Sequence, residues 1–380
     1  MLTVKRFDRT STQQRIGGWV LACFLALFVL WSGVERPDHD WDVIGYVAAV
    51  FHAEGARDTA LHQLTYDSVR EDVGERQFAR LVDPADPYRS AVYASPEALT
   101  QHVPFYGIRV LHVAAIRAVC NLSGWPPSRA LACLNGVLGA LVVLTCFGLL
   151  RAFSVPVLLL PVIVWWAGVR DVSKLSTPDV LACWLALVSV LALARQKWHV
   201  ALACALVMPL ARTDAVLWSL MVTLVVAWLT PMRWKPLLAA ALAVAVCAAI
   251  NHWRHNPGHL VIFNFTLIHK HPWPTVQPVA VEWQAYADAY ARGFGDALRQ
   301  REIWMWPIAL VLLWVGRFEG RLQQAVVLTC VGYVLAHMLL FPLYLQRFFV
   351  APIALLSILF GREAWAWVAP RVAGRISAQV

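Results

Sequence analysis

Long apolar stretches separated by short polar segments dominate this chain. They cover roughly residues 16–34, 104–122, 130–150, 153–169, 179–194, 199–211, 214–230, 237–252, 303–316, 323–341 and 348–360. A straight helix needs about 20 apolar residues to cross the hydrocarbon core of a bilayer, and several of these stretches are shorter. The pattern predicts an all-α polytopic membrane protein with about 10–11 transmembrane helices, in which one stretch between 104 and 170 is re-entrant or interfacial.

Two long polar segments, 35–103 and 253–302, interrupt the apolar pattern. The first is acidic, since it holds 13 of the 23 acidic residues but only 6 of the 32 Lys and Arg residues. Basic residues gather at other segment ends and in the N-terminal residues 1–15, which predicts a cytoplasmic N-terminus and a retained first span. We therefore expect both polar segments to be external loops of a single membrane domain, 1–380.

The residues directly after the first span predict an amphipathic helix on the membrane surface. Apolar residues recur at helical spacing from 41 to 54, whereas Asp42 and Tyr46 share another face. Such a pattern is typical of helices that lie in the interface of a bilayer. The sequence from there to about 100 is charged and mostly non-periodic, and a second helical piece is predicted near 282–300.

Composition and charge narrow the classes of function. The chain has 380 residues, of which 59% are hydrophobic and 19 are Trp, and its net charge is +9. Because the basic residues lie mostly at segment ends, this charge indicates membrane topology, and nucleic acid is not an expected partner. The eight cysteines lie in or beside apolar segments, which predicts small core residues; no Cys/His spacing indicates zinc.

Polar side chains recur at the predicted external ends of the spans. They are Asp40, Asp42, His102, Lys174, Asp179, Arg212, Asp214, His269, Lys270, His271, Gln346 and Arg347. Carboxylates can take a proton from a hydroxyl group, and cations can stabilise a departing anion. If these side chains converge at one membrane face, they indicate acid–base chemistry on an anionic substrate anchored in the lipid.

Each of these residues also has a purely structural interpretation. Asp40 and Asp42 suit a helix cap and a helix dipole, and Asp179 suits the first turn of a helix. Arg347 suits a long side chain that reaches the lipid head groups. An ordinary flanking pair or a solvated loop is the alternative for Arg212, Asp214, His269, Lys270 and His271.

Five short motifs follow one another in a characteristic order. They are Asp42 four residues before Tyr46, His102-Val-Pro-Phe-Tyr106, Ser176-Thr-Pro-Asp179, Arg212-Thr-Asp214 and Arg347-Phe-Phe-Val-Ala-Pro352. This order resembles that of the integral-membrane glycosyltransferases of the C-type fold (GT-C), which include protein O-mannosyltransferases and aminoarabinose transferases. The resemblance extends over most of the chain. Val43 stands where these enzymes often have Glu, and Phe348 where they have Tyr.

The resemblance implies a glycosyltransferase that moves a sugar from a polyprenyl-phosphate-linked donor to an acceptor hydroxyl. Asp42 is then the predicted catalytic base, with Asp40 as the second candidate, and Arg347 and Lys270 are the first candidates for the phosphate. The other predicted substrate-binding residues are Tyr46, His102, Asp179, Arg212, His269 and His271. No cofactor is required for a monophosphate leaving group, although a divalent metal at Asp179 stays open.

The expected partners are the donor, a glycan, lipid or protein acceptor, and membrane lipid. The expected location is the bacterial inner membrane, with the active site on the periplasmic face. A flippase for lipid-linked saccharides or a small-solute transporter is the alternative, and a non-catalytic scaffold is a third. Carriers usually place ionisable groups near mid-membrane, often within inverted repeats. Here the acidic residues lie at span ends, and no repeat is evident.

Overall fold

The computed structural model describes residues 12–231, 233–276, 279 and 282–377, and for residues 12 and 370–377 only the backbone. Within these ranges the chain is helical and contains no strand. The basic residues at positions 1–11, on which the predicted cytoplasmic N-terminus mainly depends, lie outside the described residues.

Nineteen α-helices follow one another along the described chain. The first seven are α1 (Thr12–Glu35), α2 (Asp42–Ala53), α3 (Asp58–Val73), α4 (Glu75–Leu81), α5 (Pro87–Ala94), α6 (Pro96–Gly107) and α7 (Val110–Ser123). The next six are α8 (Pro127–Ala152), α9 (Leu160–Trp166), α10 (Val169–Lys174), α11 (Asp179–Ala194), α12 (Trp198–Ala211) and α13 (Val216–Leu229). The last six are α14 (Trp234–Trp253), α15 (His259–Phe263), α16 (Trp283–Leu298), α17 (Met305–Trp314), α18 (Arg321–Leu340) and α19 (Val350–Ser377).

Five of these helices are long and apolar enough to cross a membrane, namely α1, α8, α14, α18 and the first part of α19. A sixth span results if α6 and α7 are counted together. The described residues therefore indicate a multi-pass helical membrane protein. Five or six such helices are fewer than the spans expected, because most of the other apolar stretches form helices of only 10–17 residues.

The predicted irregularity between 104 and 170 has a clear counterpart. Helices α6 and α7 are bent by 103° relative to each other, with a break at residues 108 and 109. Pro104 lies inside α6 and Gly107 ends it, and both residue types favour an interruption. A bent pair can be a broken span or a re-entrant loop, and the sequence predicted one re-entrant or interfacial stretch in this range.

The first polar segment differs from its prediction, because it folds into helices α2 to α6 and α2 is an interior helix. The bounds of α2 agree with the predicted range within a residue or two, yet every residue from Val43 to Val50 is buried. Helices α3, α6, α7 and α8 pack around it. A helix covered on all sides does not lie on a membrane surface, so the predicted amphipathic surface helix is wrong for α2.

The two long polar segments contact each other. The Phe265 ring lies 5.8 Å from the Tyr88 ring, and the backbone N–H and the hydroxyl of Thr275 donate hydrogen bonds to the Gln101 side chain at 3.3 and 2.7 Å. Helix α16 occupies nearly the range predicted for a helical piece. Segments 35–103 and 253–276 are therefore neighbours at one end of the molecule.

Two apolar clusters form the core. The first cluster is formed by α1, by helices α8 to α13 and by helices α16 to α19. The second lies within α2 to α8. The connections between helices bring charged side chains to the boundary of these two clusters. This boundary is where the candidate site lies.

Candidate active site

Six charged side chains meet where four connections between helices converge, and they are called here the charged cluster. They are Asp40 and Asp42 at the start of α2, Asp179 at the start of α11, Arg212 and Asp214 between α12 and α13, and Arg347 just before α19. The chain positions of these residues span more than 300 residues. The fold therefore brings together a set of residues that the sequence placed at separate span ends.

Arg347 lies at the centre of the charged cluster. Its Nη1 is 3.4 Å from Asp42 Oδ2 and 3.9 Å from Asp40 Oδ2, and its Nε is 3.6 Å from Asp179 Oδ2. The guanidinium also stacks on the Phe348 ring at 5.2 Å. Because three carboxylates surround it, Arg347 joins α2 and α11 to the turn before α19. Arg347 therefore contacts carboxylates inside the protein, which differs from the structural interpretation in which its side chain reaches lipid head groups.

Asp179 and Arg212 continue the chain of opposite charges into the bundle. The Asp179 side chain is 1% exposed, pairs with Arg212 and accepts a hydrogen bond of 2.6 Å from the Thr177 hydroxyl. Arg212 also forms two hydrogen bonds with Asp214, from Nε at 3.0 Å and from Nη2 at 2.7 Å. Asp179 does begin a helix directly after Pro178, so both interpretations of that residue apply.

Two donors hold the Asp42 carboxylate. The Tyr106 hydroxyl donates a hydrogen bond of 3.0 Å to Oδ1, and Arg347 faces Oδ2. Tyr106 lies near the end of α6, just before the break, and its ring meets the edge of Tyr46 at 5.0 Å. The Asp42 side chain is 27% exposed, so a substrate can still reach it. The contacts from the phenol and the guanidinium fix the orientation of this carboxylate.

Asp40 does not cap α2, which corrects the structural interpretation of this residue. The residue at the cap position is Trp41, and no side chain caps the helix. Instead, Asp40 accepts a hydrogen bond of 3.1 Å from the backbone N–H of Ser176. Burial and, secondly, the charge of Asp42 raise the pKa of Asp40 to about 7, and the opposing effects of Ser176 and Arg347 are smaller. Asp40 is therefore a carboxyl group that can hold a proton near neutral pH.

A further ion pair fastens the loops that carry the cluster. Lys174 pairs with the Asp38 carboxylate, and the backbone N–H of Asp38 donates to the Lys174 carbonyl at 3.0 Å. The Gln346 side chain donates a hydrogen bond of 2.9 Å to the Trp166 carbonyl. Lys174 and Gln346 were both predicted at the external ends of spans. Through these contacts they have structural roles beside the cluster.

The remaining predicted residues lie farther from the cluster. Tyr46 is buried between the rings of Tyr106 and His112, and buried His102 packs against the Tyr88 ring at 5.5 Å. Lys270 lies over the same Tyr88 ring, with Nζ 4.0 Å from the ring centroid. Among the described residues, no hydrogen bond or ion pair joins the cluster to His102, His269, Lys270 or His271.

Two residues near the cluster were not among the predicted site residues. Tyr106 belongs to a recognised motif, but the sequence does not show that its hydroxyl reaches Asp42, 64 positions away. Arg109 follows it at the break between α6 and α7. An arginine inside an apolar stretch, two residues after a glycine, was the available signal for Arg109, since such residues are costly in lipid and usually functional.

A divalent metal at Asp179, which the sequence left open, does not suit the observed surroundings. Two guanidinium groups and a hydroxyl face its carboxylate oxygens, and a further cation would be repelled there. Within the described ranges, no group of three His, Cys, Asp or Glu side chains is arranged to hold a metal ion.

One cavity borders the charged cluster, and a second lies near the segment that carries Arg347. The first, of ≈ 30 Å³, lies beside Asp179, Arg212 and Arg347 and has room for about one water molecule. The second, of ≈ 240 Å³, has an apolar lining from α16, α17 and α18. Tyr344 lies in its wall, three residues before Arg347, so the apolar cavity and the charged cluster share one segment.

No family model, curated protein or solved structure shows significant similarity to this chain. The chemistry of the charged cluster is therefore the basis on which its function is inferred.

Proposed function

We propose that this protein is a membrane glycosyltransferase of the C-type fold that uses a polyprenyl-phosphate-linked sugar donor. One observation carries the proposal: a partly exposed carboxylate, Asp42, is held by Tyr106 and Arg347 at one end of a bundle of apolar helices. A substrate with an apolar chain and a polar head would meet a base at that position. In this proposal the protein lies in the bacterial inner membrane, with the site on the periplasmic side.

Transfer of the sugar requires one proton acceptor and one stabilised leaving group. The acceptor oxygen forms a bond to the anomeric carbon, its proton passes to a base, and the bond from that carbon to the phosphate oxygen breaks. Asp42 is the proposed base, because it is more than a quarter exposed and its two donors hold it in one orientation. Asp40 is the second candidate.

The leaving phosphate requires nearby positive charge. Arg347 is 28% exposed and Lys270 is exposed, so both remain candidates for this contact. Asp179, which also pairs with Arg212, faces Arg347 from the interior of the bundle. The apolar cavity near Tyr344 lies next to the same segment, where the chain of a lipid-linked donor would require an apolar surface.

Transport remains the second candidate function, and one observation favours it. Many transporters bind solutes where helices are interrupted, and α6 and α7 are broken next to the charged cluster. Tyr106, before that break, contacts Asp42, so the break and the cluster belong to one site. A flippase would move a lipid-linked saccharide across the bilayer without breaking its glycosidic bond.

Replacement of Asp42 by Asn tests the proposed base. Asn keeps the size of the side chain and can accept the Tyr106 hydrogen bond, but it cannot take the proton. We expect Asp42→Asn to lower transfer by about 100- to 10,000-fold without weakening donor binding. The measurement is sugar transfer from lipid-linked donors by purified protein in nanodiscs, with exposed Asp67→Asn on α3 as the matched control.

The same assay separates the alternatives. Full activity of Asp42→Asn together with loss of activity in Asp40→Asn would assign the base to Asp40. Full activity in both variants would contradict the proposed mechanism. Movement of an intact lipid-linked saccharide between leaflets, with no transfer product, would support the transport function instead.

A further inference from the structure

Arg109 is a cation beside the charged cluster whose charge is not paired. It is partly exposed, and its guanidinium makes no hydrogen bond or ion pair with any side chain in the described part of the chain. Arg212 and Arg347 differ from it, since each faces at least two carboxylates. An arginine that is placed between two helices without a partner is expensive unless a ligand or water satisfies it.

The position of Arg109 relates it directly to the proposed base. Three residues earlier, Tyr106 donates its hydroxyl hydrogen to Asp42, and three residues later the His112 ring meets the Tyr46 ring at 5.1 Å. The charge of Arg109 acts on both Tyr46 and Asp214. Arg109 therefore lies on the side of the cluster formed by α2 and the break between α6 and α7.

The charges of the cluster show why another cation is needed. Four carboxylates face only two guanidinium groups, Arg212 and Arg347, and Lys174 is already paired with Asp38. An anionic ligand next to Asp42 would therefore meet excess negative charge. Arg109 is the neighbouring cation that can offset that charge without leaving a carboxylate unpaired.

The N-terminus of α7 lies directly after Arg109 and adds hydrogen-bond donors next to this residue. The first turn of a helix has backbone N–H groups without partners inside the helix, and α7 is 14 residues long and begins at Val110. His112 in this turn is fully buried, and neither of its ring nitrogens has a hydrogen-bond partner in the described residues. Unsatisfied donors and a free guanidinium at one helix end are the components of a phosphate site.

We propose that Arg109, together with the N-terminus of α7, binds the phosphate group of the lipid-linked donor. This inference rests on the proposed function, and it assigns different roles to Arg109 and Arg347. Arg109 holds the phosphate through its planar fork. Arg347 keeps Asp42, Asp40 and Asp179 in place.

Binding of a polyprenyl monophosphate to the protein in nanodiscs, measured by native mass spectrometry, tests this assignment. We expect Arg109→Gln to weaken the affinity by about 10- to 100-fold, since it removes a charge-assisted contact. Arg109→Lys should recover only part of it, because an ammonium group lacks the bidentate fork. Arg117→Gln is the matched control, since Arg117 lies on the same helix but pairs with Glu54, and its affinity should stay within about twofold of wild type.

An affinity of Arg109→Gln within about twofold of wild type would overturn the assignment. If that variant does not fold, wild-type affinity in Arg109→Lys would overturn it. Inorganic phosphate is the second probe: competition by it at the concentration of the lipid would show a site for free phosphate and contradict the lipid donor. Weakened lipid binding in Arg109→Gln, without any sugar transfer by the wild type, would uphold the phosphate site while the proposed function failed.

Discussion

At the scale of single residues, the two acids at the start of α2 have different surroundings and therefore different uses. Asp42 accepts a hydrogen bond from a phenol and faces a guanidinium, and these contacts hold its carboxylate in one orientation. Asp40 accepts hydrogen bonding from Ser176 and has a longer contact with Arg347. A proton on Asp40 reduces the negative charge of the cluster and removes the repulsion between Asp40 and Asp42.

The raised pKa of Asp40 predicts a dependence of stability on pH. Its ordinary pKa of 3.8 rises to about 7 in the folded protein, so between these values the folded chain keeps a proton that the unfolded chain has lost. The stabilisation from this group is complete below pH 4 and disappears as the pH rises to 7. Asp40→Asn should therefore gain thermal stability over wild type, by about 2–4 °C more at pH 8 than at pH 5.

Thermal unfolding of the purified protein in detergent, followed at pH 5, 6, 7 and 8, measures this difference. Asp67→Asn on the exposed face of α3 is the control, and its difference from wild type should be the same at each pH. A constant difference for Asp40→Asn as well would show that Asp40 loses its proton at an ordinary pH.

Part of the site could be predicted from residue types and their order alone. Asp40, Asp42, Asp179, Arg212 and Arg347 were expected at one face, and the fold does bring them together. Their individual partners could not be predicted, because those depend on packing between segments that are distant in sequence. The Asp40 carboxylate, for example, accepts its hydrogen bond from a residue 136 positions away.

At the scale of elements, α2 shows how a helical pattern can be right about length and wrong about surroundings. The range 41–54 predicted the helix well, and the small residues Gly45, Ala48 and Ala49 also suit close packing. The sequence could not show that α3, α6, α7 and α8 would cover every face of it. The sequence after α2 is charged and mostly non-periodic, so it did not show that helices α3 to α6 would form a second core with α2.

Gly45 makes the contact between α2 and α6 possible, and this gives a prediction. A Cβ at Gly45 would overlap the ring of Tyr106, whereas a Cβ at Gly107, also in a helix, would have no neighbour within 4 Å. We expect Gly45→Ala to destabilise the protein by about 1–3 kcal/mol through overpacking. Because it displaces the hydroxyl from Asp42, it should also lower transfer by about tenfold or more, chiefly in kcat.

Gly107→Ala is the matched control and should change the free energy of unfolding by less than about 1 kcal/mol. Adding Gly45→Ala to Tyr106→Ala should cause little further loss of stability, because the overlapping ring is then gone. The measurements are denaturant unfolding and the kinetics of sugar transfer. An unchanged kcat in Gly45→Ala would show that the position of Tyr106 does not matter for the reaction.

At the scale of the whole molecule, the apolar stretches predicted the class of protein but not its number of spans. Within the described residues, five long apolar helices and one bent pair support a multi-pass membrane protein. The other apolar helices are too short to cross a bilayer straight, since about 20 residues are needed. Whether each one crosses with tilt, stops halfway or packs inside depends on neighbouring helices, which hydropathy does not describe.

The contact between segments 35–103 and 253–276 predicts that both face the same side of the membrane. Helix α11 leads away from this side, because it begins at Asp179 in the charged cluster and is about 24 Å long. The basic residues Arg195 and Lys197 follow its far end, which predicts a cytoplasmic position for the turn at 195–197. We therefore expect an impermeant maleimide to label Ala85→Cys and Ala287→Cys in intact spheroplasts. Lys197→Cys, at the opposite end of α11, should be labelled only after lysis.

Ala85 and Lys197 are exposed and Ala287 is partly exposed, so a new thiol at each position can react. The eight native cysteines are free, and peptide mass spectrometry distinguishes their labels from the three introduced ones. Protection of only one of positions 85 and 287 in spheroplasts would contradict a common side and separate Lys270 from Asp42. Protection of both, with labelling at 197, would place the site in the cytoplasm and exclude an external donor, because the reaction would then occur on the opposite leaflet.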